Sequence, residues 1–246
     1  MQRFKILLPI LFSLIAVAAF AQTKTTSPFN RIIVSPYIQV TLVQGDEESV
    51  TVNEIHVEKS KLHIEVNDKT LRIYLEGAKD LPKNEKDYSN GYKESHPLYE
   101  NTSVVATITY KNLEALSLRG KEDQLCKSPI KGDKFILKIY GESTVTFNEM
   151  NLRQLNATLY GESVLEIKAG SVTDQRYTCY GESKVNSLAI DGSTSRITAY
   201  GRADLKVNVS DRIKVTSYGE AQLNYKGNPA IEKGMHFGDM VINKLD

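Results

Sequence analysis

One set of reactive side chains recurs along the second half of the chain. Tyr140-Gly141-Glu142-Ser143 returns as Tyr160-Gly161-Glu162-Ser163 and as Tyr180-Gly181-Glu182-Ser183. Looser copies follow at Tyr200-Gly201-Arg202-Ala203 and Tyr218-Gly219-Glu220-Ala221. A tyrosine joins an apolar ring to a polar hydroxyl, which suits contact with a sugar ring or a partner protein. A row of carboxylates could instead hold Ca2+, but one carboxylate per repeat supplies too few oxygen ligands. Like charges on neighbouring strands repel. Arg202 interrupts the row, and Lys138, Lys184 and Lys206 are close enough in sequence to compensate it. His56, His63, His96 and His236 are scattered and do not form a metal-ligand pattern. Gly-x-Ser-x-Gly, His-Glu-x-x-His and phosphate-loop motifs are missing. Hydrolysis of a polysaccharide needs two convergent carboxyl groups, and a regular row does not converge. The sequence therefore assigns no catalytic residue, no metal ligand and no cofactor. Its candidate binding face is Tyr140, Tyr160, Tyr180, Tyr200 and Tyr218 with Glu142, Glu162, Glu182 and Glu220.

The elements that position this face follow from the spacing. With the worn copies Arg119-Gly120-Lys121-Glu122 and Phe237-Gly238-Asp239-Met240, glycines fall at 120, 141, 161, 181, 201, 219 and 238. A period near 20 fits a parallel β-helix or a leucine-rich repeat, and the Leu-x-x-Leu-x-Leu frame of the latter is missing. Each copy alternates as a strand does. Two before each glycine stand Ile139, Leu159, Cys179, Ala199 and Ser217; four after stand Val145, Leu165, Val185, Leu205 and Leu223. These make an inward, apolar or small row. Three before the glycine stand Lys138, Thr158, Thr178, Thr198 and Thr216, and next to it always a tyrosine, so the outward row is Thr, Tyr and Glu. Successive coils should stack ~4.8 Å apart and draw their core from their neighbours. A tyrosine ladder of this kind can also serve stability alone, at ~0.2–1 kcal/mol per pair.

The first half is β of another rhythm. Short alternating runs from Asn30 to Leu75 are separated by polar turns. Residues 78–102, with Pro82, Pro97 and Ser89-Asn90-Gly91, read as a long polar surface loop. Val104 to Leu118 returns to strand. The expected organisation is an N-terminal β region over 22–110, packed on or capping a β-solenoid over 111–246. Met1 to Ala21 carries Arg3 and Lys5, an apolar stretch and Ala19-Phe20-Ala21, which reads as a secretory leader cleaved after Ala21. Removing Arg3 and Lys5 leaves 29 of the 31 basic residues against 30 acidic ones, a formal charge of −1. No excess of positive charge favours nucleic acid, and no later stretch is apolar enough to span a membrane. A hydrophobic content of 41% argues against disorder. Cys126 and Cys179 fall about three coils apart, ~14 Å by the sheet spacing, too far for a disulfide. Two free thiols are expected, with Cys179 facing the core.

Asn30-Arg-Ile-Ile-Val, then Tyr37-Ile-Gln-Val-Thr-Leu-Val-Gln-Gly-Asp-Glu-Glu-Ser-Val-Thr-Val, resembles the opening of the putative auto-transporter adhesin, head GIN domain family. With the Gly-x-Ser/Ala repeats, the resemblance runs from about Phe29 to Asp246. It implies an exported protein of Bacteroidetes type, a right-handed β-helical fold and an adhesin-like role. It supplies no catalytic residues. The long 78–102 excursion departs from the pattern, and the chain has no C-terminal membrane barrel to match the auto-transporter name. Fold and composition together point to an all-β, exported, non-enzymatic β-solenoid of the envelope. It would sit in the periplasm, on the outer-membrane surface or outside the cell, and present its Thr/Tyr/Glu face to a glycan or to an envelope or host surface protein. The alternatives are a polysaccharide-active β-helix enzyme and a purely structural envelope protein.

Overall fold

The computed structural model describes residues 22–81, 84–89 and 92–246, with side chains at 22–81 and 95–246. The expected leader lies outside the described residues. The chain is nearly all β and forms a solenoid of about six turns. Its stacking register is the one the glycines set: Ala115–Gly120 pairs in parallel with Ile130–Gly141, matching Gly120 to Gly141. Ile130–Gly141 pairs in parallel with Met150–Gly161, matching Tyr140 to Tyr160 and Gly141 to Gly161. Residues just past each glycine stack separately, Thr144–Phe147 on Val164–Ile167. Later turns run on as continuous β structure from Gly170 to Lys226.

The alternation has the expected physical result. Leu137, Ile139, Ala157, Leu159, Tyr177, Cys179, Ile197 and Ala199 are buried in one continuous core with Val145, Leu165, Val185 and Leu205. The glycine corners take left-handed backbone, from φ +89 at Gly238 to +140 at Gly219. A side chain there would strike the coil beneath; a Cβ on Gly161 would sit 2.4 Å from the Gly141 carbonyl oxygen. The serine two residues on completes the corner. Ser143 Oγ donates to the Gly120 carbonyl (3.0 Å), Ser163 to that of Gly141 (3.1 Å) and Ser183 to that of Gly161 (3.4 Å). Tyr-Gly-Glu-Ser is thus a corner motif first: glycine turns the chain, and serine ties it to the coil below.

The N-terminal strands both extend and close this stack. Arg31–Val34 lies parallel beneath Ala115–Gly120, and Ile38–Gln44 parallel beneath Gln124–Cys126. Thr70–Leu75 and Val104–Tyr110 add one further parallel layer. The pairing therefore runs unbroken across residue 111, where only the repeat chemistry changes. Antiparallel strands cover the end: Leu62–Asn67 on Thr70–Leu75, Ser49–Ile55 on Val104–Tyr110, and Gln22–Thr25 outermost. The edge at this end is thereby reduced to the short strands Gln22–Thr25 and Leu62–Asn67, and short edge strands recruit other strands poorly.

Residues 78–102 differ from expectation. Asn84–Ser89 and Tyr92–Pro97 pair antiparallel as a separate two-stranded sheet. The sequence between them is Asn90-Gly91, the commonest two-residue hairpin signal. Asn-Glu-Lys-Asp-Tyr-Ser and Tyr-Lys-Glu-Ser-His-Pro have no apolar alternation, so the sequence pattern does not show these strands. Cys126 and Cys179 are free and buried. Burial pushes both thiols up to about 12.

Candidate functional site

The five expected tyrosines form one ladder. Neighbouring rings from Tyr140 to Tyr200 are stacked with centroids 4.7–4.8 Å apart and planes within 4°. Tyr200 and Tyr218 follow at 5.1 Å, and Phe237 extends the stack at 5.9 Å. Ring separation equals the coil rise, so each ring lies across the solenoid axis with its neighbours against both faces. A sugar cannot stack on faces already covered. What reaches solvent is a row of ring edges and hydroxyls, with Tyr180 36%, Tyr200 40% and Tyr218 38% exposed. The first open ring face is also covered, because the Arg119 guanidinium sits 5.5 Å over Tyr140.

The carboxylate row lies just past the corner and is largely compensated. Lys121 Nζ is 3.0 Å from Glu142, and Arg202 pairs with Glu182 (3.4 Å) and Glu220 (3.0 Å). Arg202 thus does what its place in the row implies. Lys121, from the worn first repeat, takes the part expected of Lys138, Lys184 or Lys206. Among the described residues no group of three or more His, Cys, Asp or Glu side chains is placed to hold a metal ion.

Two features of the site went unread in the sequence. The first is a cavity of about 730 Å3 at the head of the ladder, where Pro36, Tyr37, Leu81, Arg119 and Tyr140 meet. Here the corner is built differently. Register places Pro36 at the glycine position, and the left-handed residue is Tyr37, at φ +69. A bulky side chain seldom adopts that conformation. It is held by Glu122, which occupies the serine slot of its own coil and is almost fully buried. One Glu122 oxygen accepts from the Tyr37 amide and the other from the Lys121 amide, each at 3.0 Å. Burial raises the Glu122 carboxyl above its usual range, against the pull of those amides. Asp80, on the same wall, is bound by Arg119 and Arg72 and held below the usual range.

The second feature is a basic column on the tyrosine side of the same sheet, five residues before each glycine. There Ile136 and Asn156 are followed by Arg176, Arg196 and Lys214. Counting two positions further back along the repeat would have exposed it.

The chain belongs to the family described as putative auto-transporter adhesin, head GIN domain, which it matches over residues 28–229. Solved structures of similar fold include a putative adhesin from Bacteroides fragilis, 16% identical with a TM-score of 0.75, covering 92% of this chain and 96% of that one. A putative adhesin from Parabacteroides merdae is 18% identical with a TM-score of 0.67, covering 92% and 95%. A putative lipid binding protein from Parabacteroides distasonis is 19% identical with a TM-score of 0.62, covering 92% and 96%. At these identities the likeness is one of fold. The chain matches no curated protein.

Proposed function

We propose that this is an exported, adhesin-like binding protein, without enzymatic activity, that meets a glycan or an envelope or host surface protein through the flat sheet face bearing the tyrosine and threonine columns. One observation carries the reading. Tyr140, Tyr160, Tyr180, Tyr200 and Tyr218 repeat in register at the coil rise, so the face is rigid, regular and rich in hydroxyls. Order of this kind lowers the entropy cost of binding, because the contact groups are fixed beforehand. Family membership and the adhesin descriptions of similar folds support the same role. No described helix is long and apolar enough to cross a membrane. The carboxylates run along the axis instead of converging, and the buried Glu122 carboxyl accepts from backbone amides with both oxygens.

The test uses the 22–246 chain on a glycan array and against envelope extracts, beside Tyr160→Phe/Tyr180→Phe/Tyr200→Phe. That variant keeps the stack and removes only the exposed hydroxyls. Weaker binding at an unchanged melting temperature supports the face. Absence of binding by the wild type removes the adhesin reading and leaves a structural envelope role, and turnover of any polysaccharide would replace it with the enzyme.

A further inference from the structure

The basic column is the least explained charge arrangement in the molecule. Arg176, Arg196, Arg212 and Lys214 line one cavity of about 370 Å3 together with Asp174 and Glu232, four cations against two carboxylates. Glu232 is taken by Lys214 Nζ, and Asp174 accepts from Thr194 Oγ1 at 2.7 Å. Arg176, Arg196 and Arg212 are exposed and make no side-chain hydrogen bond or salt bridge among the described residues, although Arg196 and Arg212 lie within the field of Glu232. Like charges on neighbouring strands are unfavourable. The carboxylate row relieves that cost with Lys121 and Arg202, whereas Arg196 feels only the field of Glu232, a carboxylate already paired with Lys214, and no salt bridge to Arg176 or Arg196 forms among the described residues.

We infer that Arg176, Arg196, Arg212 and Lys214 form a binding site for an acidic polysaccharide. Three physical points favour that ligand over a single small anion. Guanidinium groups offer a planar fork of donors matched to carboxylate or sulfate. The cations recur once per coil, ~4.8 Å apart, which suits a polymer that repeats its charge. Beside them on the same face run Thr178, Thr198 and Thr216, and then the tyrosine edges, ~13 Å along the strand from the cations. Those columns supply hydroxyls to sugar hydroxyls. The inference rests on the binding-face reading and names its ligand class.

Polygalacturonate is the probe, with neutral dextran and double-stranded DNA beside it, in affinity electrophoresis of the 22–246 chain. The wild type is expected to bind polygalacturonate and not dextran, with affinity falling as NaCl rises from about 50 to about 200 mM. Arg176→Ser/Arg196→Ser should weaken binding at least about tenfold. Lys127→Ser/Lys168→Ser removes the same charge from exposed positions past the glycine corner and should change affinity by less than about twofold. Both cation pairs are exposed, and matched melting temperatures confirm the fold; should the double variant melt early, Arg196→Gln alone is expected to weaken binding in the same direction. Failure of the wild type to bind polygalacturonate, equal loss in both double variants, or preference for DNA overturns the inference. If polygalacturonate fails while the tyrosine variant still loses its array ligand, the binding face stands and only the acidic class falls.

Discussion

Replacing a corner glycine by alanine separates two costs that the sequence alone merges. Gly161 and Gly181 have the same backbone, φ +94 and +93. An alanine at either position must hold a left-handed conformation, which costs about 1–3 kcal/mol. Their surroundings differ. At Gly161 the added Cβ would lie 2.4 Å from the Gly141 carbonyl oxygen, a backbone atom that cannot swing away. At Gly181 the nearest atom is the Gly161 oxygen at 3.0 Å, a tight contact relieved by a small shift. The collision at Gly161 should add about 1–3 kcal/mol, as overpacking does elsewhere. Gly161→Ala is therefore expected to lose about twice the stability lost by Gly181→Ala. Urea unfolding followed by far-ultraviolet circular dichroism measures both, and tyrosine emission gives a second probe because the chain has no tryptophan. Coincident transitions justify a two-state treatment, which stacked repeats can violate. Equal losses in the two variants, or a larger one at Gly181, would refute the account of the corner as a steric contact between coils.

Tyr180→Ala removes two ring contacts and should cost about 1–3 kcal/mol at ~0.5–1.5 each; a double-mutant cycle in the same denaturation assay should couple Tyr160 to Tyr180 but not Tyr140 to Tyr200. Glu122 is raised by burial, so the folded chain holds that proton more tightly than the unfolded one. Its contribution is most favourable at low pH and declines as pH rises from about 4.5 through the higher folded value. Melting temperatures from pH 4 to 7 should then show wild type losing ground to Glu122→Gln with rising pH, and a flat or opposite difference would count against it. Asp80, held low by Arg119 and Arg72, has the opposite sign, its contribution being lost as pH falls below about 3.8 toward the folded value. Cys126 and Cys179, buried with thiols near 12, should both resist a disulfide-exchange reagent at pH 8 and react only on unfolding.

The coil is legible in the residues alone. A glycine recurring every 18 to 21 residues with alternating flanks leaves the chain few ways to bury its apolar row except by stacking copies in register. The ladder, the inward Cys179 and the role of Arg202 follow from that register. The structure decided what register cannot reach. Ring orientation depends on the neighbour above and below, so only the stack shows that tyrosine faces are covered and edges are free. The head cavity needs Tyr37 and Glu122, 85 residues apart, to meet, and no local pattern announces such a contact. The paired strands Asn84–Ser89 and Tyr92–Pro97 carry almost no apolar residues in sequence, so apolar periodicity could not find them. The basic column is periodic in the sequence, but that Lys214 has a salt bridge while Arg176 and Arg196 have none among the described residues is a property of space: a charge is paired or unpaired only by what folding brings beside it.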